Sequence, residues 1–180
     1  MLIIGIDPGT SIAGYGIVAS DGSRHQCVEY GSLNLPSNKP MPVRLAQLHV
    51  GISGLIEKHR VDAMALEDLF HAVNVQTAMK LSQARGVIML AAAQRGIPVF
   101  EYSPLEVKNS VVGYGRAEKA QVQQMVYRLL HLQHPPQPFD AADALAVAIC
   151  HAQAHSVQER LDRAGIRAGR ARVMKSQDGE

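Results

Sequence analysis

Leu2-Ile3-Ile4-Gly5-Ile6-Asp7-Pro8-Gly9-Thr10 opens the chain, and residues 12–19 follow as Ile-Ala-Gly-Tyr-Gly-Ile-Val-Ala. The first run is apolar until Asp7 and then turns at Pro-Gly, which reads as a buried strand ending on an acid. Residues 12–19 and 24–33 read as two more strands, with Asp21-Gly22 as the hairpin signal between them. An antiparallel meander is expected. Beyond the loop at 34–40 the period changes. Leu45, Leu48, Ile52 and Leu55 recur at helical spacing over 42–59, despite Gly51 and Gly54. A strand over 61–67 ends on a second acid, Glu67. A long helix over 75–95 carries Val75, Met79, Val87 and Leu90 on more than one face, so it is expected to meet both the sheet and a second surface, such as a partner subunit. Residues 97–102 read as a strand. Ser103-Pro104-Leu105-Glu106 is a capping box with proline at the first helical position. Helices over 117–131 and 139–155 follow, separated by Pro135-Pro136-Gln137-Pro138.

Three antiparallel strands followed by alternating helices and strands predict an α/β domain over residues 1–155. Its mixed five-stranded sheet, flanked by helices, has the ribonuclease H-like order. In that order strands 1 and 4 are neighbours, which sets Asp7 beside Glu67. Residues 156–180 read as a basic, flexible tail.

Composition supports one folded domain. The 180 residues are 47% hydrophobic, and with three Phe, five Tyr and no Trp the core must be aliphatic. Cys27 and Cys150 lack metal-ligand spacing, which suits a reduced, cytoplasmic protein. The His residues are scattered; His151 and His155 are read as a solvated helix face. No basic leader precedes the first strand and no apolar run is long enough to span a bilayer, so no membrane role is expected. The net charge is only +2, but residues 79–128 carry seven Lys/Arg against three acids and 157–175 carry six against two. Two basic segments point to a polyanion partner.

Asp7 and Glu67 stand at strand ends, and Asp140 and Asp143 lie three apart at the start of the last helix. Each has a modest reading alone. Asp7-Pro8-Gly9 is a plain turn, Asp140 a helix cap, Asp143 a partner of the helix dipole, and Glu67-Asp68 an exposed strand end. Together they converge. Buried acids are costly unless a cation compensates them, and clustered carboxylates raise one another's pKa. Oxygen-only donors suit Mg²⁺, and two such ions support phosphodiester hydrolysis. Asp7 is short enough to bridge two ions, Glu67 long enough to reach one, and Asp140 and Asp143 would approach from the other side. Lys108, Arg116 and Lys119 are read either as solvated helix surface or as a phosphate clamp, and Phe70 either as a core plug or as a base-stacking or wedging aromatic.

These segments resemble the RuvC family of bacterial Holliday junction resolvases over residues 2–155. The matching blocks are Gly5-Ile6-Asp7-Pro8-Gly9-Thr10 with Gly14-Tyr15-Gly16; Leu66-Glu67-Asp68-Leu69-Phe70 with Asn74; 80–87; 99–102; Val107-Lys108; Ala117-Glu118-Lys119; and 140–146. The resemblance implies a homodimeric, Mg²⁺-dependent endonuclease of ribonuclease H-like fold, with Mn²⁺ able to substitute. It would nick opposed strands of a four-way DNA junction symmetrically, leaving 5′-phosphate and 3′-hydroxyl ends, and work with the RuvA–RuvB branch-migration machine. It assigns the catalytic, metal-binding acids to Asp7, Glu67, Asp140 and Asp143, with Lys119 catalytic. DNA contacts fall on Phe70, Asn74, Lys80, Arg85, Lys108, Arg116 and Lys119. Some family members carry His where this chain has Asp140.

Other classes fit less well. An actin-like ATPase or sugar kinase shares the Asp-x-Gly-Thr loop but needs a second domain and a second glycine-rich loop, which 180 residues do not supply. The YqgF-type family shares the first motif but not the Asp140-Ala-Ala-Asp143 block. An idle junction binder would not need all of the acids.

Overall fold

The computed structural model describes residues 1–68, 74–165 and, for the backbone, 173–174. β1 (Leu2–Asp7), β2 (Ile12–Ser20) and β3 (His25–Asn34) form the expected meander. Its hairpin turns where Gly22 takes φ of +95°, and Asp21 Oδ1 accepts hydrogen bonds from the backbone of Ser23 and Arg24 at 2.9 and 2.8 Å. Then come α1 (Met41–His59), β4 (Ala63–Glu67), α2 (Val75–Ala93), β5 (Val99–Tyr102), α3 (Pro104–Val112), α4 (Lys119–Leu129) and α5 (Phe139–Arg163). The sheet runs β3-β2-β1-β4-β5, with β1, β4 and β5 parallel, as the ribonuclease H-like order requires. A two-residue strand, β6 (Val173–Met174), adds antiparallel to the β5 edge.

Strand alternation divides the core into two layers. Ile4, Ile6, Met64 and Leu66 face α1 and α2, where Leu48, Ile52, Ile56, Ile88 and Ala91 bury against them. Ile3, Val18 and Ala65 face α5, α3 and α4. α5 is the central helix, about 37 Å long at 1.5 Å per residue. It lies close to the sheet because both surfaces are small. A β-carbon on Gly5 would stand 2.1 Å from the Ala144 carbonyl oxygen, and one on Gly14 would stand 2.0 Å from that of Asp140. Glycine is required at both positions by close approach alone.

Three local readings change. α5 continues to Arg163, so residues 156–163 are helical and the expected tail starts later. Ser156 is still buried, and Glu159 pairs with His155 and Arg163 one turn away on either side. β4 and β5 are shorter at their N-termini than the apolar runs suggest. His151 is not on a solvated face: it is 1% exposed, with Nδ1 hydrogen-bonded to the Tyr102 hydroxyl at 2.7 Å.

Candidate active site

β1 and β4 are in parallel register, Ile6 against Leu66, so their last residues Asp7 and Glu67 end side by side. Gly5 touches α5 and Ala65 joins the α5-side core. Two-residue alternation then turns the Asp7 and Glu67 side chains to that same face. α5 begins directly above. Pro138 precedes its first turn, Asp140 lies in that turn, and the Asp140 carbonyl packs on Gly14, which pairs with Asp7 across the β1–β2 ladder. Asp143 follows one turn on. Neither acid caps the helix, whose N-cap position makes no side-chain hydrogen bond. Lys119, the first residue of α4, completes the cluster by donating from Nζ to Asp143 Oδ2 at 2.8 Å.

The electrostatics reflect this crowding. The Asp7 carboxyl is pushed up to about 8, first by burial, then by the charges of Glu67 and Asp143. Glu67 is pushed up by burial first and by Asp143 second, with Lys119 and Lys108 opposing the rise. Lys119 is held above the ordinary lysine value chiefly by its hydrogen bond to Asp143. As the side chains lie, no three His, Cys, Asp or Glu groups among the described residues close on one point at ligand distance. Glu67 is hydrogen-bonded to Asp7, which opposes the rise at Glu67 more than either lysine does, and the Lys119 ammonium compensates Asp143. The donor set nonetheless fits a hard divalent ion. It is oxygen only, it is rigidly based on two strand ends and one helix, and its negative charge is undercompensated.

The other expected residues separate by burial. Lys108 is half-buried on α3 and close enough to act on Glu67; Lys80 and Arg116 are exposed. Asn74 is exposed but has a local task, since its side chain accepts from the Thr77 amide at 2.8 Å and caps α2. Phe70 lies outside the described residues. The reading of Arg85 as a DNA contact needs correction. The side chain is buried, and its guanidinium is consumed inside the protein by the Glu67 carbonyl and the Glu101 carboxylate. The sequence reading missed this pairing and the glycine contacts that seat α5. A lone Arg followed by the charge-free 86–94 run was the available signal for the first.

A sheet of this order with acids at the ends of β1 and β4 and the start of α5 defines a nuclease of the ribonuclease H-like class. The family model for "Crossover junction endodeoxyribonuclease RuvC" matches residues 3–151. A protein of that name from Desulfitobacterium hafniense is 51% identical over 161 residues, covering 89% of this chain and 98% of its own. One from Clostridioides difficile is 48% identical over 165 residues, covering 92% and 98%. The Thermus thermophilus RuvC structure in complex with a Holliday junction substrate superposes with a TM-score of 0.83 at 32% identity, covering 87% of this chain and 96% of that one. The chain belongs to the RuvC family of crossover junction endodeoxyribonucleases. It is therefore a hydrolytic nuclease, and the family depends on a divalent metal.

Proposed function

We propose that this chain resolves four-way DNA junctions as a homodimer, each subunit nicking one of two opposed strands. The observation that carries the reading is the meeting of Asp7, Glu67, Asp140 and Asp143, with Lys119 tied to Asp143, at one end of the sheet. Two Mg²⁺ ions, or Mn²⁺ in their place, would supply an activated water and stabilise the leaving oxygen of an in-line displacement. Asp7 and Glu67, at neighbouring strand ends, and Asp140 and Asp143, on the first turns of α5, would hold these ions. Lys119, with 66% of its side chain exposed, can turn from Asp143 to the scissile phosphate and neutralise its developing charge. The products are 5′-phosphate and 3′-hydroxyl ends.

Lys80, Lys108 and Arg116 are assigned to the DNA backbone, with Asn74 at the mouth of the same region and Phe70 against the bases. Arg85 is left out. The exposed apolar residues Val75, Met79 and Leu90 give α2 a face for a second copy of the chain. A two-fold dimer matches the approximate two-fold symmetry of a junction. Residues 1–163 carry the nuclease machinery, and the basic segment beyond α5 adds affinity for DNA. Coupling to RuvA–RuvB branch migration in the cytoplasm completes the reading; no helix among the described residues is long and apolar enough to cross a membrane. The test is incision of a mobile four-way junction beside linear duplex of the same sequence, with Mg²⁺ or EDTA. Paired, metal-dependent nicks confined to the junction support it. Comparable cutting of the duplex overturns it.

A further inference from the structure

We infer that Arg85 is a positioning residue that fixes how far the Glu67 carboxylate reaches towards Asp7, acting through the backbone from the opposite side of the sheet. The inference rests on the proposed metal role of Glu67. Arg85 sits on α2, whose buried residues Ala84, Ile88, Ala91 and Ala92 pack on the sheet face of Ile6, Met64 and Leu66. The carboxylates point to the other face, towards α5. Arg85 therefore has the sheet between itself and any substrate bound over those carboxylates.

Its contacts gather at the end of β4 and on the neighbouring β5. One terminal nitrogen donates to the Glu67 carbonyl oxygen, and the other pairs with Glu101 Oε1 and lies 3.4 Å from Asp68 Oδ1. Glu101 is the β5 register partner of Leu66, so it shares Leu66's face and meets the guanidinium there. The planar fork thus links α2, β4 and β5 at the residue that carries the catalytic acid.

Sequence explains why the link is needed. Along the parallel β1–β4 register, Ile6 stands opposite Leu66. One step further, the strand residue due to donate to the Glu67 carbonyl is Pro8, which has no N–H. The turn that presents Asp7 therefore leaves the neighbouring carbonyl without its ladder donor, and Arg85 supplies one. Without it, the last peptide of β4 would be held on the β5 side only, where the Asp68 amide donates to the Tyr102 carbonyl at 2.8 Å.

The test separates positioning from mere stability and from DNA contact. Mn²⁺ binding to the DNA-free protein is titrated by electron paramagnetic resonance for wild type, R85M, R85K and E67Q. Junction affinity in EDTA and the melting curve are measured alongside. R85M is expected to weaken Mn²⁺ binding and raise the Mg²⁺ needed for half-maximal cleavage, each by roughly tenfold or more. Junction affinity in EDTA stays within about twofold of wild type, in keeping with a guanidinium that makes no phosphate contact. R85K, with one point charge for two acceptors, falls between. R85M added to E67Q changes Mn²⁺ binding no further. Unchanged Mn²⁺ affinity in folded R85M overturns the inference, as does a fall in EDTA junction affinity. If R85M does not fold, R85K and E101Q face the same criteria. Should E67Q and D7N themselves bind Mn²⁺ like wild type, the metal reading fails first, a result distinct from a failure of Arg85 alone.

Discussion

Lys119 Nζ is hydrogen-bonded to Asp143 Oδ2 at 2.8 Å, although 66% of the lysine side chain and only 17% of the aspartate's is exposed to solvent. The lysine reaches in from solvent to a carboxylate held in place by α5. Replacing it with methionine keeps the aliphatic stem and removes the charge. K119M is expected to lower the single-turnover cleavage rate by roughly 10²–10³-fold, the range for losing one preorganised transition-state partner. Junction affinity should fall by no more than about threefold. A variant that cleaves within a factor of five of wild type would show that the lysine is only a counter-ion.

Asp7 contributes in the opposite sense to stability. Its ordinary value is 3.8 and the fold raises it to about 8, so ionising it opposes folding. Its destabilising effect grows as pH rises from about 4 to 8 in metal-free protein. D7N removes that effect. At pH 8 in EDTA the variant should melt at least about 2–4 °C above wild type, equivalent to about 1 kcal/mol for a domain of this size. At pH 4 the difference should largely vanish. The same variant should bind junction DNA and fail to cut it. Equal melting temperatures at pH 8 would contradict the crowding of acids around Asp7.

His151 supplies a pH effect away from the chemistry. Burial, and to a lesser degree His155, lowers it from 6.5 to about 4. Its Nε2 has no hydrogen-bond partner and would gain none on protonation. A histidine depressed in the fold contributes stability that is complete above about 6.5 and is lost as pH falls towards 4. The full span corresponds to about 3 kcal/mol. Urea midpoints of wild type and H151N at pH 7 and pH 4.5 isolate this part. Wild type should lose about 2 kcal/mol more than the variant, and equal losses would remove His151 from the account.

Two glycines make opposite predictions. G14A forces a methyl group to within 2.0 Å of the Asp140 carbonyl oxygen, so the start of α5 must lift. It should destabilise by about 1–3 kcal/mol, and cleavage should fall more than the folded fraction does. Gly54 lies inside α1, with nothing within 4 Å of its added β-carbon. G54A should stabilise by about 0.5–1 kcal/mol without changing cleavage. Thermal melts and a folded-fraction-corrected rate test both.

Most of the fold and the acid set were legible because they depend on local pattern. Alternation and turn residues located the meander. The capping box located α3, where the Ser103 amide donates to Glu106 Oε2 at 2.7 Å and the Glu106 amide returns a bond to Ser103 Oγ at 3.3 Å. Asp7 and Glu67 followed from strand order. What sequence could not supply was the side of each basic residue. Arg85 and Lys80 lie on the same helix, and one is buried while the other is exposed. α2 has apolar residues on more than one face, so periodicity does not say which of its stripes meets the sheet. The end of α5 was missed for a related reason: beyond Ala154 the helix is carried by charge pairs rather than by apolar spacing.

α5 begins with Asp140 and Asp143 and then runs as the innermost element of the molecule, with residues 144–152 all buried. The proposed catalytic acids of the helix and the part that holds the protein together therefore belong to one rod. Damage along 144–152 is expected to reach the acids at its head, so a screen for inactive variants should recover core substitutions and those at the acids as a single phenotype. Clean separation of folding from activity is available only at the side-chain tips. An engineer who wanted to retune cleavage would have to work from the strand ends and from α4, leaving this helix as it is.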